Sequence, residues 1–238
     1  MEFKGWQKTS LIEYPDHVSS VLFTGGCNFR CPFCYNLDLV LDPDRSEAIP
    51  AETVLAYLVE NRNLYEAVVV SGGEPTLHPE LPEFFAACKQ AGLLTGLETN
   101  GTSPRMLDRL IRDGLLDYAA MDVKAPLKFS SYRQAAGLPE NAAGRDLFQR
   151  VRESIELLLK CKLKVEFRTT LLAELHSEED VELMAEALAG ADRYLLQQFK
   201  PGPTVDSAYS EASPWQPERL RRLIDRLSSR FPACGARE

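Results

Sequence analysis

Two hydrophobic periods alternate along this chain, and that alternation narrows the choice of fold more than any other feature. Runs rich in β-branched and apolar residues recur at His17–Phe23, Ala67–Ser71, Leu93–Leu97, Asp117–Asp122, Leu163–Arg168 and Arg193–Phe199, and each reads as a strand. Between them the apolar residues move to helical spacing over Ala51–Asn61, Glu80–Ala91, Arg105–Arg112, Asp146–Lys160 and Glu178–Leu188, with a last helix over Glu218–Arg230. Pro50 and Pro104 stand at helix starts, Ser177 offers an N-cap, and Gly92 follows a helix end. Strand and helix repeated about six times predict a parallel sheet with right-handed crossovers. Six units suit an open barrel better than a closed eightfold one, so the expected fold is α/β, a partial (β/α)6 TIM-like barrel. No linker, repeat or low-complexity tract breaks the pattern. Residues 1–238 therefore read as one domain, with its core over about 17–200 and a C-terminal helix at 218–230.

Composition bounds the partners. The chain carries 238 residues, 45% of them hydrophobic, enough for one full core. A net charge of -8 argues against a broad nucleic-acid footprint. No run of about 18 apolar residues suggests a membrane span. Met1–Gln7 is polar and mixed, unlike a signal peptide, so the expected compartment is the cytoplasm. Six cysteines in that compartment are thiols or metal ligands more often than disulfides.

Parallel α/β folds place their chemistry at the C-terminal ends of strands, and there this sequence concentrates its reactive residues. The first strand runs into Thr24-Gly25-Gly26-Cys27-Asn28-Phe29-Arg30-Cys31-Pro32-Phe33-Cys34-Tyr35-Asn36. Cys27, Cys31 and Cys34, spaced Cys-x3-Cys-x2-Cys, can reach three corners of a cubane. Soft thiolates suit an iron–sulfur cluster or zinc. A structural zinc normally closes with four protein ligands, and the loop holds no fourth Cys or His. The second strand ends in Ser71-Gly72-Gly73-Glu74-Pro75, where the glycines permit close backbone approach and Glu74 offers an acceptor. The third leads into Glu98-Thr99-Asn100-Gly101 and the fourth into Asp122-Val123-Lys124-Ala125-Pro126. Cys88, Cys161, Cys234, His17, His78 and His176 stand singly and read as structural residues. The arginines of the last helix read as a solvated basic face that could also dock an acidic electron carrier.

The cysteine loop, with aromatic Phe33 before its third cysteine, resembles the signature of the radical S-adenosylmethionine superfamily. That resemblance implies a [4Fe-4S] cluster on Cys27, Cys31 and Cys34, whose fourth iron chelates S-adenosylmethionine. Reductive cleavage then yields methionine and a 5′-deoxyadenosyl radical. It also implies that Gly72, Gly73 and Glu74 bind the methionine amino group. Glu98, Thr99, Asn100, Asp122 and Lys124 would contact ribose and carboxylate, with Phe33 and Tyr35 beside the cofactor.

Within the superfamily the chain is similar to glycyl-radical-enzyme activating enzymes, and to those acting on anaerobic ribonucleoside-triphosphate reductase. The segments that carry this are Thr9–Pro15, the loop ending in Tyr35-Asn36, Asp122–Pro126 and Leu196–Phe199. The resemblance implies a glycyl radical enzyme as protein substrate and flavodoxin or ferredoxin as electron donor. Some members hold a monovalent cation among acidic groups; this chain has Glu98 and Glu13 where those carry Asp. Two alternatives stay open: a small-molecule radical enzyme of the 7-carboxy-7-deazaguanine synthase kind, and a non-catalytic zinc or iron–sulfur module.

Overall fold

The computed structural model describes residues 1–237. Its strands are β1 (Glu2–Phe3), β2 (Gly5–Ser10), β3 (Ser19–Thr24), β4 (Ile49–Pro50), β5 (Ala67–Gly72), β6 (Leu94–Thr99), β7 (Tyr118–Asp122), β8 (Lys164–Leu171), β9 (Arg193–Gln198) and β10 (Ala233–Arg237). Its helices are α1 (Leu37–Leu41), α2 (Ala51–Glu60), α3 (Leu81–Gln90), α4 (Pro104–Arg112), α5 (Phe129–Ala136), α6 (Ala142–Lys160), α7 (Glu178–Ala187) and α8 (Pro217–Leu227). Eight strands pair in the order β10-β9-β8-β7-β6-β5-β3-β2. The pairs β3–β5, β5–β6, β8–β9 and β9–β10 are parallel, and β2 runs antiparallel to β3.

All six expected strands form within a few residues of their expected bounds, as do the six expected helices. Three differences have physical causes. Asn141 accepts a hydrogen bond from Gly144 N–H at 3.1 Å and so starts α6 at Ala142, not at Asp146. The stretch around Cys234, outside every expected element, is β10, paired with β9 from Ala233↔Arg193 to Arg237↔Gln197. The basic face of α8 is engaged by α7: Arg219 and Arg226 bond Glu178, and Arg226 also reaches Glu182.

The chain divides into two compact units. The first comprises Met1–Asn28, Asn36–Thr99 and Ser103–Ala119. Its core is Phe3, Leu22, Val54, Leu58, Val68, Val69, Val70, Leu81, Phe85 and Cys88, all fully buried. A buried Leu or Phe contributes about 2–3 kcal/mol to such a core. The valine run of β5 is buried on both faces, as an interior parallel strand requires. Cys88 is one of these core residues, and burial pushes its thiol up to about 12, so it serves as a small hydrophobe.

The second unit comprises Phe29–Tyr35, Asn100–Thr102 and, of the described residues, 120–237. Met121, Tyr132, Val151, Phe167, Met184, Tyr194 and Leu196 form its core. On β8, Thr169 bonds Tyr194 Oη at 2.9 Å, tying β8 to β9 inside that core. Ser177 and Asp180 close a capping box at the start of α7. The expected N-cap is therefore present.

Candidate functional site

In the first unit, the loops leaving β3 and β5 pack main chain on main chain. Gly73 N–H donates to Thr24 O at 2.9 Å, and Glu74 N–H donates to Gly26 O at 2.8 Å. A Cβ on Gly73 would lie 1.9 Å from Gly26 O, and one on Gly72 would lie 2.4 Å from Thr24 N. No side chain fits between these strand ends, which is why glycines stand there. Glu74 is fully buried, and its Oε1 accepts from Thr76 N–H at 3.1 Å, from the Thr76 hydroxyl, and from the Thr99 hydroxyl at 2.7 Å. The structure thus joins two predicted residues, Glu74 and Thr99, and adds Thr76, which sequence reasoning did not single out. A hydroxyl two residues after a strand-end carboxylate was the available signal. Glu98 accepts from the Ser71 hydroxyl at 2.6 Å. Asn36 Nδ2 donates to Gly72 O at 3.2 Å, and Gly26 N–H to Leu39 O at 2.7 Å. Cys27 directly follows Gly26. From the Thr9–Pro15 segment, Tyr14 is buried against Tyr118, and burial with Asp117 nearby pushes its hydroxyl up to about 12.

The second unit carries the other half of the cysteine loop. Cys34 N–H donates to Cys31 O at 3.1 Å, a tight turn that brings the two cysteines round. The turn is held from outside. Asp206 N–H donates to Pro32 O at 2.9 Å, Val205 N–H to Cys34 O at 3.1 Å, and Arg30 N–H to Ala136 O at 3.0 Å. Phe33 and Cys31 are buried. Tyr35 stacks on Phe199 with centroids 5.2 Å apart, and its hydroxyl meets the main chain of Lys200. Asn100 folds back on itself, its Oδ1 accepting from Thr102 N–H at 3.0 Å and from the Thr102 hydroxyl at 2.7 Å.

Lys124 is the electrostatic centre of this unit. Its Nζ donates to Asp122 Oδ2 at 2.8 Å, and only 14% of its side chain is exposed. Burial works against its charge, but Asp122 and the sulfurs of Cys31 and Cys34 outweigh it, holding the ammonium well above the ordinary lysine range. Below the pH where an unfolded lysine titrates, the amine is charged. The buried Tyr132 hydroxyl, raised mainly by burial, accepts from Lys124 N–H at 3.4 Å. His176 Nε2 lies 2.8 Å from Lys124 O. Neither Tyr132 nor His176 stood out in the sequence.

Among the described residues, no group of three His, Cys, Asp or Glu side chains is poised to hold a single metal ion. A four-iron cluster asks for something else, because each thiolate binds a different iron and three sulfurs need not converge on one point. The donors present fit that demand: three thiols on one loop, no fourth Cys or His within it, and a buried cation beside two of them. All six cysteines stand outside disulfides.

The radical SAM superfamily model matches residues 21–188, and this chain belongs to that superfamily. It is therefore a radical S-adenosylmethionine enzyme that uses a [4Fe-4S] cluster and S-adenosylmethionine. A Methanocaldococcus jannaschii protein, provisionally named a glycyl-radical enzyme activating enzyme, is 34% identical over 216 residues, covering 90% of this chain and 86% of that one. Pyruvate formate-lyase 1-activating enzyme of Escherichia coli is 32% identical over 115 residues, covering 45% of this chain and 46% of that one. Among solved structures, Streptococcus suis SuiB superposes with a TM-score of 0.70 at 16% identity, covering 92% of this chain. The chain spans 48% of SuiB's length. QueE from Escherichia coli superposes with a TM-score of 0.56 at 16% identity, covering 98% and 92% of the two chains. These likenesses show the fold, a mostly parallel α/β sheet of the partial-barrel kind. No helix among the described residues is long and apolar enough to cross a membrane.

Proposed function

We propose that this chain activates a glycyl radical enzyme by removing a hydrogen atom from a backbone glycine of that partner. An anaerobic ribonucleotide reductase is the first candidate. The observation that carries the reading is Lys124, a buried cation at the end of β7 lying in the field of both Asp122 and the Cys31–Cys34 turn. A zwitterionic, sulfur-linked ligand held at a thiolate site needs such a counter-charge for its carboxylate. The 34% identity over most of the chain to a protein named as an activating enzyme supports the choice of substrate class.

In this reading Cys27, Cys31 and Cys34 hold the cluster. Bound together, cluster and S-adenosylmethionine supply the one-electron chemistry that removes hydrogen from carbon. The protein's own residues do the binding and the orienting. Glu74, fixed by Thr76 and Thr99, accepts from the ligand's amino group, while Gly72 and Gly73 leave the main chain open to approach. Lys124 pairs with the carboxylate and Asp122 keeps Lys124 in place. Glu98 and Asn100 serve the ribose, and Phe33 and Tyr35 wall the cofactor side. The electron comes from flavodoxin or ferredoxin.

The test is to reconstitute the protein with iron and sulfide under anaerobic conditions, reduce it, and add S-adenosylmethionine with candidate partners. A glycyl radical signal in electron paramagnetic resonance, with formation of 5′-deoxyadenosine, is the expected result. Cys31→Ala should yield neither product. Abundant 5′-deoxyadenosine with no radical on any glycyl radical enzyme, but with turnover of a small substrate, would overturn the assignment of substrate.

A further inference from the structure

We infer that His176 is a positioning residue for Lys124, which extends the reading of Lys124 as a ligand for S-adenosylmethionine and rests on it. His176 lies between β8 and α7 and is 2% exposed. Its Nε2 is 2.8 Å from Lys124 O, a group that can only accept, so Nε2 carries the hydrogen. Its Nδ1 accepts from Leu172 N–H at 3.2 Å, so Nδ1 is bare. Both ring nitrogens are thus used, the tautomer is set, and the ring is neutral.

The position of this bond matters more than its existence. The β7–β8 pairing carries on just past Asp122, where Val123 N–H donates to Arg168 O at 2.8 Å and the Thr169 hydroxyl donates to Val123 O at 2.8 Å. Lys124 is the next residue, beyond the regular ladder. From there its main chain is held by two other elements: Tyr132 of α5 accepts from its N–H, and His176 donates to its carbonyl. A lysine side chain loses much rotamer freedom when it is fixed, so a mobile main chain beneath it would weaken any ion pair it makes. Clamping the peptide leaves only the side-chain torsions to be set, and Asp122 sets their far end. His176 also serves Leu172, but the Lys124 bond reaches 52 residues back along the chain to the main-chain carbonyl beneath a single functional side chain.

Two substitutions separate the two bonds. In His176→Gln the side-chain amide nitrogen can reach the place of Nε2 and keep the bond to Lys124. In His176→Asn the shorter side chain can keep only the bond to Leu172. Lys124→Met is the control for the underlying reading. On each reconstituted full-length protein, the measurements are iron content, melting temperature, the Kd for S-adenosylmethionine by calorimetry, and amide hydrogen exchange over residues 122–126. His176→Asn is expected to keep its iron, to bind about tenfold more weakly and to exchange faster over 122–126, whereas His176→Gln stays within about threefold of the parent. In a Lys124→Met background, His176→Asn should not weaken binding further. If His176→Asn binds as the parent does while Lys124→Met is weakened tenfold, positioning is refuted and the role of Lys124 survives. If Lys124→Met binds as the parent does, the reading of Lys124 itself fails, and this inference with it. Should His176→Asn not fold, His176→Gln decides. Binding within threefold and unchanged exchange support the inference, and a tenfold loss with unchanged exchange overturns it.

Discussion

In the first unit the candidate residues Gly72–Glu74 are held mainly by main chain, whereas in the second unit Asp122 and Lys124 are held by charge and by side chains. In the first region, amide and carbonyl groups of two loops meet directly, with Glu74 N–H on Gly26 O at 2.8 Å, and the Glu74 carboxylate is locked by two threonines. In the second, the Lys124 ammonium bonds the Asp122 carboxylate, while a neutral imidazole and a phenol hold the Lys124 main chain. The contrast separates two kinds of tolerance. A main-chain contact has no softer version, so any added atom must displace the loops. A side-chain network can be loosened one bond at a time, and its charges respond to neighbours and to pH.

The largest effect is therefore expected at Gly73. In Gly73→Ala the new methyl would sit 1.9 Å from Gly26 O, and Gly26 precedes Cys27, the first cysteine of the loop proposed to hold the cluster. We expect the variant to lose at least about 3 kcal/mol of stability and to retain little iron after reconstitution. Gly26→Ala is the informative partner. Its Cβ would meet nothing within 4 Å, but φ is +81°, so only backbone strain of about 1–2 kcal/mol opposes it. Thermal melts and iron analysis of the two variants check the ordering. Equal losses would show that close packing of main chain is not what the glycines are for.

The same contrast explains what could be read from the sequence. Local requirements leave marks: two adjacent glycines at a strand end announced the close main-chain approach at Gly72–Glu74, and three cysteines at short spacing marked the loop proposed to hold the cluster. The strand–helix alternation likewise announced six of the strands and six of the helices, because hydrophobic period is a local property of a sequence. Partnerships between distant residues leave no such mark. His176 meets Lys124 across 52 residues, and nothing near His176 distinguishes it from a helix-flanking histidine. The arginines of α8 looked solvated because their partners, Glu178 and Glu182, belong to another helix. A strand as short as Ala233–Arg237 is invisible for the same reason, since it is defined by its pairing with β9 and not by its own residues.

Tyr35 sharpens the comparison with an intermediate effect. It follows the third cysteine, and its side chain joins the cysteine turn to the Phe199–Asp206 segment through the ring and through Lys200. Tyr35→Phe keeps the stack on Phe199 and removes the hydroxyl. A loss of about 1 kcal/mol is expected, with faster hydrogen exchange over residues 199–206 and unchanged iron content. The main-chain bonds from Val205 to Cys34 and from Asp206 to Pro32 remain, so the turn keeps its shape. Loss of iron from Tyr35→Phe would mean that this side of the loop depends on a side chain where the structure shows main chain.

The smallest effect is expected from pH, and only through the residues around Lys124. His176 is held below the ordinary histidine range, first by burial and then by the Lys124 charge, against the opposing pull of Asp180 and of its main-chain partners. A histidine whose folded pKa is lowered takes up its proton more readily when unfolded. Stability is therefore full above the unfolded value of about 6.5 and declines as pH falls below it. The bonds give the same sign, because Nδ1 accepts from Leu172 N–H only while it is unprotonated. Denaturant unfolding from pH 7.5 down to pH 5 should show this decline in the parent, and a shallower one in His176→Gln, which has no proton to gain. Since the Gly72–Glu74 region is held mainly by amides and hydroxyls, Gly26→Ala should shift the whole curve downward without changing its slope. If His176→Gln keeps the full slope, the pH response originates elsewhere, and the imidazole is not the part of this network that senses protons.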